Sequence, residues 1–175
     1  CGIIPHIYQG KMEGRVLLYG KEIKDMELPK IAESIVIVFQ EPETQLFSPT
    51  VEDEIAFGPE NLCINKEEIG ERISSSLSLV GMKDKRYEHP QRLSGGEKQL
   101  IAIATVLAMD PDVIILDEVM SEIDKAGKLR IKDAIKKLKS RDKAIVLVGH
   151  DLANLDIADS IMELNGGRLC QLRKA

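Results

Sequence analysis

Three short runs of consecutive apolar residues, at 35–39, 113–116 and 144–148, interrupt a chain whose apolar positions otherwise recur at helical spacing. Runs of this length and β-branched content fit buried strands covered on both faces, which need no polar alternation. Residues 96–109 set Leu100, Ile101, Ile103, Ala104 and Leu107 along one helix, which Asp110-Pro111 stops. Residues 125–139 predict a second, with Leu129, Ile131, Ala134, Ile135 and Leu138 as its apolar stripe. Asn65, followed three residues later by Glu68, caps a third helix that runs to about Val80 and ends at Gly81. Residues 15–19 read as a short β-rich run closed by Gly20, and 160–164 with 168–171 as a hairpin around Asn165-Gly166-Gly167.

Strand and helix alternate from residue 93 onward, which predicts an α/β fold with a parallel sheet and functional groups at the strands' carboxyl ends. From 41 to 92 strand character stops, and Pro42, Pro49, Pro59 and Pro90 punctuate acidic helical stretches. This segment is expected to be a helical subdomain inserted in one domain spanning 1–175.

Composition narrows the function classes. A chain of 175 residues with 43% hydrophobic content supports one sizeable core. Its three cysteines, Cys1, Cys63 and Cys170, are too few and too scattered for a disulfide framework or a metal cluster, which points to a reducing compartment. No apolar stretch has the length of a membrane span. The net charge of −5 speaks against nucleic-acid binding. Lys125, Lys128, Arg130, Lys132, Lys136, Lys137, Lys139, Arg141 and Lys143 do form a basic tract, read here as the solvated face of an amphipathic helix.

Two motifs carry chemistry. The run 113–116 ends in Asp117-Glu118, and adjacent carboxylates at a strand end can place one acid on a magnesium ion and leave the next to polarise a water. Upstream, Leu93-Ser94-Gly95-Gly96-Glu97 opens a helix with exposed backbone N–H groups, which suits a phosphate. Gln40 ends the first strand and Gly149-His150-Asp151 comes after the last. His6 and His89 lack such settings and read as surface residues.

In this order, from Gly2 to about Leu172, these elements resemble the ATP-binding cassette (ABC) ATPases. The resemblance implies a P-loop NTPase-type core that binds ATP and Mg2+. It implies that Asp117 holds magnesium through water, that Glu118 is the general base, that Gln40 senses the metal and the nucleophilic water, and that His150 contacts the γ-phosphate. Ser94, Gly95 and Gly96 would bind the nucleotide of an opposing subunit, so a homo- or heterodimer with a second ABC ATPase subunit is expected. Ser121 to Asp124 resembles the D-loop that crosses such an interface. Val119-Met120, Ile123 and Leu100 depart from the usual residues without removing a catalytic group.

The segments 40–47 and 50–61 resemble the ATPases of energy-coupling-factor importers for cobalt, nickel and vitamins. By that resemblance Glu52, Asp53 and Glu54 meet a transmembrane coupling subunit, and the protein sits peripherally on the cytoplasmic face of the cell membrane through its partners. A soluble ABC-type ATPase and a non-catalytic partner donating only its signature face are the competing readings. No Gly-Lys here fits the phosphate-loop pattern G-x-x-x-x-G-K-[ST]. Gly10-Lys11 has Pro5 and Met12 at the flanking positions, Gly20-Lys21 has Arg15 and Glu22, and Gly127-Lys128 has Glu122 and Leu129. Residues 1–6 resemble the segment just after the phosphate-loop helix, so the expectation is a chain lacking its first strands and that loop, and inactive alone.

Overall fold

The computed structural model describes Ile7 and residues 13–121 and 123–174. Expectations for residues 1–6, Gly10-Lys11 and Glu122 lie outside the described residues.

The first elements among the described residues form a small hairpin, β1 (Leu17–Leu18) and β2 (Lys21–Glu22), joined through Tyr19 and Gly20 at φ +50° and +78°. Two successive positive φ values match the twist of a tight hairpin turn, so the β-rich run at 15–19 contributes only two residues to its strand. Helix α1 (Leu28–Ser34), which periodicity does not predict, comes next with Pro29 in its first turn. Leu18, Ile23 and Ile31 form a minor core there.

The central sheet is parallel, in the order β3 (Ile35–Val38), β4 (Val113–Asp117), β5 (Ala144–Val148). Ile35 pairs with Val113, which pairs with Ala144, so the three strands run level from their first residues. Between β3 and β4 lie α2 (Val51–Asn61), α3 (Lys66–Val80) and α4 (Gly95–Ala108). The amide of Glu68 donates to Asn65 Oδ1 at 2.9 Å, and Gly81 ends α3 at φ +71°, as the sequence predicts. Helix α5 (Lys125–Lys139) returns the chain to β5, and β6 (Ser160–Asn165) with β7 (Arg168–Lys174) closes it.

Helix α4 is the centre of the main core: Leu100 to Ala104 are all buried, along with Ile114 and Leu116 of β4 and Ile131, Ala134, Ile135 and Leu138 of α5. Leu129 is 57% exposed, which corrects the predicted stripe. At 100° per residue it lies about 160° from Ile131, on the opposite side of the helix.

Candidate nucleotide site

Because the sheet is parallel and level, the residues that leave its carboxyl end converge. Gln40 lies two residues past β3, Asp117 ends β4 opposite Val148, and His150 lies two residues past β5. Glu118 adopts φ +49°, the left-handed region that costs an L-residue roughly 1–2 kcal/mol. Its surroundings hold it there. Its amide donates to Val148 O at 3.0 Å, and its carbonyl accepts from the amide of Ser121 at 3.0 Å and from Ser121 Oγ at 2.9 Å. So turned, its Oε1 lies 3.5 Å from His150 Nδ1. A cavity of about 60 Å³ opens beside the pair, lined also by Ser121, Lys128 and Asn154. Lys128 therefore departs from the solvated reading of the basic tract; its place one turn into the helix after Asp124 is the signal that sets it apart.

Ser94 caps α4 in a reciprocal box. Its Oγ accepts from the amide of Glu97 at 3.4 Å, while its own amide and hydroxyl both donate to Glu97 Oε2 at 2.9 Å. The Ser94 amide, then its hydroxyl, hold the Glu97 carboxyl below the usual carboxylate range, and the positive charges of Lys85 and Arg130 add to the effect. The amides of Gly95 and Gly96 occupy the first two helical positions, which have no acceptor within the helix. They are the phosphate-suited donors of this element.

The segment after Glu118 packs onto that helix start. A Cβ on Gly96 would lie 3.5 Å from Ile123 Cγ2, and one on Gly127 only 2.3 Å from it. Asp124 caps α5 by accepting from the amide of Gly127 at 2.8 Å. Ser121 is exposed.

The loop bearing Gln40 is pinned on both sides while Gln40 itself is exposed. The amide of Phe39 donates to Gln45 Oε1 at 2.9 Å, Gln45 Nε2 donates to Ile37 O at 3.3 Å, and Gln99 Nε2 donates to Phe39 O at 3.2 Å. Buried Lys98 of α4 pairs with Glu43 just beyond. Among the described residues no hydrogen bond or ion pair joins Ser94, Gly95 or Gly96 to Glu118 or His150.

The three acids of α2 have internal partners. Glu52 pairs with Arg86 at 2.6 Å, and Thr50 Oγ1 donates to Asp53 at 2.6 Å. Glu54 is 5% exposed and accepts from the amides of Phe47 and Ser48 at 2.8 and 2.7 Å. Beside them Phe47 and Phe57, 67% and 48% exposed, meet edge to face with ring centroids 4.9 Å apart. Charge counting along the sequence misses this aromatic pair. His89 is exposed, and its Nδ1 accepts from the amide of Gln91.

The sequence profile of the ABC transporter family matches residues 3–121, and the chain belongs to that family. It is 41% identical over 157 residues to the energy-coupling factor transporter ATP-binding protein EcfA of Carboxydothermus hydrogenoformans, covering 89% of this chain and 58% of that protein. EcfA of Methanosarcina acetivorans is 40% identical over 158 residues, covering 90% and 58%. The structure of cbiO1 from Clostridium perfringens, described as part of the ABC transporter complex cbiONQ, superposes with a TM-score of 0.80 at 33% identity, over 90% of this chain and 64% of that one. The similarity thus falls in the energy-coupling-factor and cobalt-type branch, and the α/β fold is that of its ATPases. The chain spans 26% to 61% of the length of the curated relatives it matches. Among the described residues no helix is long and apolar enough to cross a membrane.

Proposed function

We propose that this chain carries the signature and catalytic-carboxylate part of an ATP-hydrolysing subunit that powers an energy-coupling-factor-type importer for a metal ion or a vitamin. The observation that carries the reading is the convergence of Gln40, Asp117, Glu118 and His150 on adjacent parallel strand ends, with Glu118 turned to within 3.5 Å of His150. The donor set fits Mg2+. One carboxylate and one amide oxygen are hard ligands, and this ion normally completes its shell with water and substrate phosphates rather than with a cage of side chains. Asp117 and Gln40 would hold the ion, which when bound neutralises phosphate charge. Glu118 takes the proton of the attacking water, and His150 fixes the geometry beside it.

Among the described residues Ser94 and the amides of Gly95 and Gly96 make no bond to that site, which fits their use on a nucleotide held by a second ATPase subunit. No Gly-Lys of residues 1–175 fits the phosphate-loop pattern, so this chain by itself is read as unable to anchor the nucleotide. Steady-state hydrolysis by purified residues 1–175 would overturn that part of the reading. The membrane partner is read from the surface of Glu52, Asp53 and Glu54 together with the exposed pair Phe47 and Phe57; Asp53 is exposed and Glu52 half-buried there, while Glu54 is buried on the amides of Phe47 and Ser48. The protein then lies on the cytoplasmic face of the membrane through that partner, and nucleic acid has no role.

The deciding experiment is Glu118→Gln in protein that carries the phosphate loop. ATP binding and dimerisation should persist while turnover falls roughly a hundredfold or more, the scale of a lost general base. Near-normal turnover moves that role to His150.

A further inference from the structure

The basic tract divides in the structure. Lys132 pairs with Asp156 and Lys139 with Asp159, both at 2.6 Å, and Lys143 reaches Asp110 at 2.9 Å and Asp112 at 3.7 Å. These cations tie α5 and β5 to neighbouring loops. Lys137 and Arg141 form no such pair with a described residue. They border a cleft of about 390 Å³ whose far wall is Ser74, Ser75 and Ser78 of α3, with Lys83 just past that helix.

Among the described residues no carboxylate lines this cleft, on a chain whose net charge is −5. Like charges one helical turn apart, as Lys137 and Arg141 are, repel each other. The carbonyl end of α5 offsets part of that repulsion, which accounts for basic residues at the helix end. It does not account for a third cation and a row of hydroxyls facing them. Ser74 Oγ donates to Gly70 O at 2.9 Å and accepts from Arg86 Nη1 at 3.1 Å, so a further guanidinium stands behind the wall. Ser75 and Ser78 are exposed.

We propose that this cleft binds a small polyphosphate anion. Lys83, Lys137 and Arg141 supply charge-assisted bonds to its oxygens, and Ser75 and Ser78 donate O–H groups to it. The site lies roughly 14 Å along α5 from Lys128 and the Glu118 cavity, at 1.5 Å per residue. Its walls belong to α3, within the 41–92 segment, and to α5, which returns the chain to the sheet. A bound anion therefore fastens these two parts together, and this inference does not rest on the hydrolytic reading.

The test is amine acetylation of the full chain, read lysine by lysine by mass spectrometry, with inorganic tripolyphosphate as the probe. Lys83 and Lys137 should be protected saturably, while Lys136, exposed on the same helix but not lining the cleft, keeps its rate. Arg141→Gln should shift the protection midpoint at least about tenfold, the scale of one lost charge-assisted bond. Ser78→Asp, at an exposed position, should shift it similarly by placing a negative charge in the wall. Equal protection of Lys136, or an unmoved midpoint in both variants, would overturn the site. So would stronger protection by phosphatidylglycerol vesicles than by tripolyphosphate, which would make this a membrane-facing surface.

Discussion

The two faces of the central sheet are built from the same kind of residue and have different surroundings. On one face Val38, Ile114 and Leu116 lie buried beneath α4 and α5, and Val36, Ile145 and Leu147 pack against the same core. On the other, Ile37, Ile115 and Val146 form a row in register, and Val146 and Val148 are 49% and 44% exposed. A parallel sheet is ordinarily covered on both faces. The comparison teaches that an apolar run marks a strand destined for burial without saying what buries it. On this second face Ile35 packs against the minor core of Leu18, Ile23 and Ile31, while Val146 and Val148 keep much of their surface open.

That contrast can be broken by measurement. Leu116→Ala, on the covered face, should destabilise the protein by about 2–5 kcal/mol in urea denaturation; a smaller loss would mean the two faces are energetically alike. Gly127→Ala should cost about 1–3 kcal/mol, because the new methyl meets Ile123 at 2.3 Å beneath the same covered side. Lowering the pH should cost about 1 kcal/mol at the start of α4. The Glu97 carboxyl is held low in the folded state, so its contribution is present above the unfolded carboxylate value of about 4.3 and is lost as pH falls through the lower folded value. Glu97→Gln should erase that acid sensitivity in a pH series of thermal melts. Val146→Ala on the open face should cost no more than about 0.5 kcal/mol in residues 1–175. A loss as large as that of Leu116→Ala would show that this face is packed as tightly as the covered one.

Much of the fold was legible because its signals are local. The bounds of α5 and β5 follow from periodicity and an apolar run, and the ends of α3 from Asn65 and Gly81. The strand-end placement of Gln40, Asp117, Glu118 and His150 followed from the α/β alternation. Helix α1 was not legible, since its seven residues bury only Ile31 and give periodicity nothing to repeat. The inward turn of Glu52 depends on Arg86, far along the chain, and that of Glu54 on the amides of Phe47 and Ser48 just before α2, neither of which a charge pattern along α2 reveals. The positive φ of Glu118 is equally hidden: it is imposed by hydrogen bonds from β5 and Ser121, not by Glu118's own chemistry.

Ile123 sits with one methyl against Gly96, at the mouth of α4, and against Gly127, on the first turn of α5. A side chain seated between two glycines acts as a wedge between two levers. The spacing of the two helix starts is set through one methyl group, and a side chain at Gly127 would displace it where it also borders Gly96.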